Sequence, residues 1–104
     1  MNSVIEGQIE NGVLRIEMGV NRLDASASRE FKRQVDEIWS PEVNQVELDF
    51  RQVDFIDSSG VGALLGVYKR LPSTDGQVRL TSVQAPVQSV IELLRLHRIF
   101  EIEN

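Results

Sequence analysis

A chain of 104 residues carrying 11 Lys+Arg against 16 Asp+Glu, net charge -5, has the length of one domain with a buried core. Its acidic balance speaks against general binding to nucleic acid or to anionic membranes, both of which call for clustered Lys and Arg. With 41% apolar and 26% charged residues and no cysteine, it is neither disordered in composition nor equipped for a disulfide, a thiolate nucleophile or a sulfur-ligated metal. The longest nearly apolar stretch, Gly60 to Tyr68, falls well short of the ~20 residues that cross a bilayer, so no direct membrane insertion is expected. Met1 to Glu10 lacks the basic patch and hydrophobic run of a signal peptide, and the expected location is cytoplasmic.

In chain order, Asn11-Gly12 stands between Ile5-Glu6-Gly7-Gln8-Ile9 and Leu14-Arg15-Ile16-Glu17-Met18. An Asn-Gly pair tolerates the positive φ of a type I′ turn, which predicts an antiparallel hairpin. Ala27, Phe31, Val35, Ile38 and Trp39 then recur at helical spacing among charged residues and predict an amphipathic helix that ends before Pro41. Val46-Glu47-Leu48-Asp49-Phe50 and Val78-Arg79-Leu80-Thr81 alternate as strands. Between them the segment Gly60 to Leu71 reads as a helix, closed by Pro72 and a loop at Ser73-Thr74-Asp75-Gly76. Pro86 suits the first turn of a last helix with Val87, Val90, Ile91 and Leu94 on one face, with His97 at its end, and Phe100 to Ile102 adds a short edge strand.

This order is an α/β plan: a mixed sheet, antiparallel in the hairpin and parallel thereafter, because strand–helix–strand crossovers are right-handed and parallel. Each strand alternates apolar with charged side chains, so the helices are expected mainly on one face, leaving the other wet.

The segment Asp54-Phe55-Ile56-Asp57-Ser58-Ser59-Gly60-Val61-Gly62 joins a strand end to a helix start. Asp57, Ser58 and Ser59 are all capping types, and a helix start leaves backbone N–H donors open to an anion. Gly60, Gly62 and Gly66 each cost the helix ~1 kcal/mol relative to alanine. Gly62 and Gly66 share a face, which packs closely either on the chain's own sheet, the better reading of this pair alone, or on a partner's backbone. Val61, Ala63, Leu64, Leu65 and Val67 are too many apolar side chains to hide against one sheet face, so part of this helix is expected to serve as a docking surface. If the strands before Asp24 and Asp57 are parallel neighbours, Asp24 comes near Ser58, either as a helix cap alone, shared with Ser26, or as cap and site together.

Enzyme templates fail at the same place. A hydrolase elbow needs Gly two residues before its Ser, and Ile56 and Asp57 stand there instead. Gly66 is followed by Val67-Tyr68 rather than by the Lys-Ser/Thr of a phosphate-binding loop, and Gly60-x-Gly62-x-x-x-Gly66 misses the dinucleotide spacing by one residue. A single His and no Cys leave no zinc set. The prediction is therefore no enzyme, no metal and no cofactor. What remains is a hydroxyl at a helix N-terminus beside an apolar helix. Such a hydroxyl suits a phosphoryl group delivered by another protein's active site. The added charge of about -1.5 to -2 would be stabilised by the helix start and would spoil a complementary interface.

With these residues in place, Leu48-Asp49-Phe50, Val53 to Gly62 and the helix ending Tyr68-Lys69-Arg70 resemble the signature of the STAS domain, specifically the stand-alone anti-sigma factor antagonists of bacteria. The similarity spans nearly the whole chain, 1–104, as a single STAS domain, with Leu23-Asp24-Ala25 resembling the family's acidic loop. Val61 stands where the family more often shows Leu. The resemblance implies that Ser58 is phosphorylated by an anti-sigma factor that is also an ATP-dependent serine kinase, and that a PP2C-type phosphatase reverses it. It also implies that Ser59 helps shape the turn and that Asp24 lies at the kinase-facing edge. The unphosphorylated form would bind the kinase through Asp24, Asp57, Ser58, Ser59, Gly60, Val61, Gly62 and Leu65 and release a sigma factor or other regulator. Two alternatives stay open: a receiver-like domain phosphorylated on Asp57, and a STAS subunit of a membrane or lipid-transport assembly in which Ser58 only caps. Monomer and homodimer are equally open, since the same apolar helix can pair with itself.

Overall fold

A computed structural model describes residues 3–72 and 77–104; the loop expected at Ser73-Thr74-Asp75-Gly76 lies outside the described residues. The elements are β1 (Ile5–Glu10), β2 (Val13–Met18), β3 (Arg22–Leu23), α1 (Ala25–Ile38), β4 (Gln45–Asp49), β5 (Phe55–Ile56), α2 (Ser58–Arg70), β6 (Gln77–Thr81), α3 (Ala85–Leu93), a 3-10 turn at Leu96–Arg98, and β7 (Phe100–Glu103). Five strands form one sheet in the order β1-β2-β4-β6-β7, antiparallel between β1 and β2 and parallel thereafter. The mixed α/β plan expected from the sequence is the one observed.

Asn11 (φ 53°) and Gly12 (φ 78°) both take the left-handed conformation that closes the hairpin with the twist of its strands. The Gly12 carbonyl then accepts from Asn44 N at 2.9 Å, tying the turn to the entry of β4. Alternation along the strands sends Leu14, Ile16, Met18, Val46, Leu48, Val78, Leu80 and Phe100 into the core. There they meet Phe31 and Val35 of α1, Leu64 and Val67 of α2, and Val87 and Ile91 of α3. The other sheet face is polar. Across it Arg15, Glu47, Arg79 and Glu101 lie in direct register, with Arg79 3.1 Å from Glu101 and 3.4 Å from Glu47. No helix among the described residues is long and apolar enough to cross a membrane.

Four details depart from expectation. First, β3 and β5, two residues each, form a second, parallel sheet of their own. Second, Val61, Ala63, Leu64 and Val67 are all buried, and of the five apolar side chains named for α2 only Leu65 stays half-buried at the surface. The helix packs beside α1 on the sheet, and the middle of the side it turns to solvent is made of Gly62 and Gly66. Third, a Cβ at Gly62 or Gly66 would meet nothing within 4 Å, so this pair does not pack on the chain's own sheet. Fourth, Leu94 is 51% exposed rather than aligned with Val87 and Ile91. Helix α3 ends at Leu93, and Leu94 and the left-handed Arg95 (φ 60°) turn the chain away before the periodicity reaches Leu94; His97 falls in the 3-10 turn that follows.

Candidate functional site

The short pair β3 and β5 sets the site. Leu23 lies opposite Ile56, so the next residue on each strand, Asp24 and Asp57, leaves the same sheet edge side by side, and each begins a helix. Both have extended backbones that aim a carboxylate back over the first turn. Asp24 Oδ1 accepts from Ala27 N at 3.1 Å. Asp57 Oδ1 accepts from Ser59 N at 2.9 Å and from Gly60 N at 3.1 Å. The caps are thus Asp24 and Asp57. Ser26 does not share the first, and the second turn is shaped by Asp57 rather than by the Ser59 hydroxyl, which makes no hydrogen bond among the described residues.

Gly60 shows why a residue without a side chain stands at the start of α2. A Cβ there would lie 2.5 Å from the Leu23 carbonyl oxygen and 2.6 Å from Ile56 Cγ1. The helix start is pressed onto β3 and β5, and Asp57 N reaches the Leu23 carbonyl at 3.5 Å. This seating holds Ser58 as the first residue of α2, exposed and free of any capping duty. Ser58, Gly62 and Gly66, spaced by four, form one exposed line along the helix with half-buried Leu65 beside it. Of the residues named for partner contact, Ser58 and Gly62 are exposed, and Asp24, Asp57, Ser59 and Leu65 are half-buried. Gly60 and Val61 are buried and act beneath that surface.

The electrostatics of the helix start differ from the expectation that it stands ready for an added anion. The Asp57 carboxylate already engages the N–H groups of Ser59 and Gly60, so a phosphate on Ser58 would enter beside a resident negative charge. The neighbouring cation is Arg22, which the sequence reading passed over. Its guanidinium stacks 3.8 Å from the Phe55 ring centroid and sits 4.0 Å from Asp24 Oδ2. Alternation along the β3–β5 pair places Arg22, Asp24, Phe55 and Asp57 on one side, but strands of two residues carry no periodic signal that would have revealed it. No group of three His, Asp or Glu among the described residues could hold a metal.

The model of the STAS domain family matches residues 4–104. The anti-sigma F factor antagonist of Paenibacillus polymyxa is 31% identical over 103 residues, which is 98% of this chain and 87% of that protein. Among solved structures, an anti-sigma-factor antagonist (STAS) domain protein from Planctomyces limnophilus superposes with a TM-score of 0.82 at 20% identity, covering 96% of this chain and 88% of that one. The Bacillus cell fate determinant SpoIIAA in its phosphorylated form superposes at 0.71, also 20% identical, over 96% of this chain and 91% of its own. At that identity the structures speak for the fold alone. The chain belongs to the STAS domain family. The curated relative matched over 98% of this chain is an anti-sigma F factor antagonist.

Proposed function

We propose that this chain, a single STAS domain acting in the cytoplasm, is a phosphorylation-controlled anti-sigma factor antagonist. In its unphosphorylated form it binds an anti-sigma factor that is also an ATP-dependent serine kinase, and so releases a sigma factor or other regulator. Transfer of the ATP γ-phosphoryl group to Ser58 Oγ ends that binding, and a PP2C-type phosphatase restores it. The chain is the substrate of both enzymes and catalyses neither step. The observation that carries this reading is the position of Ser58: exposed, first in α2, relieved of capping by Asp57, and at the head of the bare line formed with Gly62 and Gly66. A partner's backbone can approach that line closely, and a phosphate at its head would have to be desolvated or excluded for the partner to seat.

Asp57 is less suited to the receiver-like alternative, because phosphorylation of its carboxylate would take away the negative charge that caps α2 and weaken those hydrogen bonds. The deciding experiment is titration of the partner kinase with Ser58→Ala and Ser58→Asp chains. Ser58→Ala is expected to bind whether or not ATP is present, and Ser58→Asp to bind at least about tenfold more weakly; equal affinities overturn the proposal. Phosphosite mapping adds a second arm. A hydroxylamine-labile phosphate points to Asp57, and a chain never phosphorylated in its own cells that stays bound to one fixed complex points to the transport-assembly subunit.

A further inference from the structure

We propose a second protein-binding surface at the opposite end of the sheet from Ser58, formed by the end of α3 and the 3-10 turn, which takes an acidic segment carrying apolar side chains. Topology sets its place. Asp24 and Asp57 follow strands that continue from β2 and β4, at the edge where the parallel strands end, whereas α3 leaves β6 at that edge and returns the chain to the edge where β7 begins. There Leu93 is 82% exposed and Leu94 51% exposed, the large apolar side chains most open to water in the molecule's described residues. Adjacent exposed leucines cost solubility and contribute nothing to the core, which marks the spot as one that something covers.

Charge identifies the occupant. Arg95 and Arg98 follow the leucines, with exposed His97 between them, and neither arginine makes an ion pair among the described residues. Among the described residues Arg15, Arg22, Arg33, Arg51, Arg70 and Arg79 pair with carboxylates, whereas Arg95 and Arg98 share with Arg29 the lack of such a pair, and only Arg95 and Arg98 stand beside exposed leucines. Arg95 moreover holds φ 60° just past the end of α3, a conformation in which glycine is at ease and arginine is strained. Two leucines and two unpaired guanidinium groups together complement apolar residues flanked by carboxylates. An anionic bilayer is a poorer match, since exposed Glu92 lies beside the leucines and the chain carries a net charge of -5. A second copy of the chain offers its charged sheet face, which has carboxylates for the arginines but, among the described strand residues, only half-buried Val13 to set against two leucines.

The test uses the full chain, labelled with 15N, titrated with a short helical peptide of leucine and glutamate at heptad spacing, with its leucine–lysine counterpart, and with phosphatidylglycerol vesicles. The acidic peptide is expected to shift the amides of Leu93 to Ile99. Leu93→Gln with Leu94→Gln, or Arg95→Glu with Arg98→Glu, should weaken its binding about tenfold or more. Arg95→Gly is expected to raise Tm by relieving the backbone and still to weaken binding; unchanged binding removes Arg95 from the surface. Ser58→Asp should leave this binding untouched, which separates its failure from failure of the Ser58 switch. Equal response to both peptides, or shifts confined to other residues, overturns the proposal. So does preferential capture by vesicles, which assigns the patch to a membrane, and so does self-association abolished by Leu94→Gln, which assigns it to a second copy.

Discussion

Asp57 sets one carboxylate oxygen against two backbone donors of α2, and this division of labour with Ser58 has measurable consequences. Asp57→Ala should cost about 1 kcal/mol of stability by chemical denaturation, the usual worth of a side-chain cap, whereas Asp57→Asn, a comparable cap, should cost little. Ser58→Ala should be neutral, since Ser58 does not cap. The charge of Asp57 should also be felt by a phosphate. With phosphoserine at position 58, the second phosphate ionisation, ordinarily near pH ~6, is expected to move upward because a like charge disfavours the dianion. Asp57→Asn should bring the midpoint back down in a 31P titration; an unmoved midpoint would show that the carboxylate swings away from the modified site.

Helix α2 shows three glycines with two different roles. At Gly60 an added methyl meets a backbone oxygen and a side chain at 2.5 Å and 2.6 Å, so Gly60→Ala should lose about 1 to 3 kcal/mol despite its better helix propensity. Gly62→Ala and Gly66→Ala meet nothing and should each gain up to about 1 kcal/mol, read as a shift in the urea midpoint. If the exposed line is where a partner's backbone lies, the same stabilising substitutions will weaken kinase binding, and that opposition between stability and affinity is its signature. In α1, the Ser28 hydroxyl is buried with no hydrogen-bond partner among the described residues. Ser28→Ala is expected to stabilise the domain by about 1 kcal/mol, because it removes an unsatisfied polar group and favours the helix.

Across the whole molecule, the two sheet faces divide stability from charge. One row of the open face alternates sign through Arg15, Glu47, Arg79 and Glu101. The next row sets Glu6, Glu17 and Asp49 directly opposite one another, with Thr81 between Asp49 and Glu103. Arg51 answers part of that repulsion, and its hydrogen-bonded pairing with Asp49, with Glu17 adding to it, pushes the guanidinium pKa further above its ordinary value. Glu17→Gln should therefore stabilise the domain by roughly 0.5 kcal/mol at low salt, with the gain shrinking as ionic strength rises. With the polar row on one face and the helices on the other, both sheet ends remain available: the ends of the parallel strands carry Ser58, and the starts carry the leucine–arginine patch.

Most of this architecture was legible along the chain, because burial on one face imposes a period on every long element. Asn11-Gly12, the alternation of Val46 to Phe50, the spacing of Phe31 and Val35, and the Asp-Ser-Ser-Gly junction are local patterns that local chemistry explains. Where the sequence left a choice, the choice turned on distance between segments. That Asp57 rather than Ser58 or Ser59 caps α2, and that Asp24 stands beside it, depends on two strands too short to show a pattern. That Gly60 is pressed against Leu23 while Gly62 and Gly66 face solvent depends on how one helix is rotated against α1 and the sheet. Composition and periodicity record which residues leave water; only the packed chain decides which backbone is left bare and which neighbour a side chain meets.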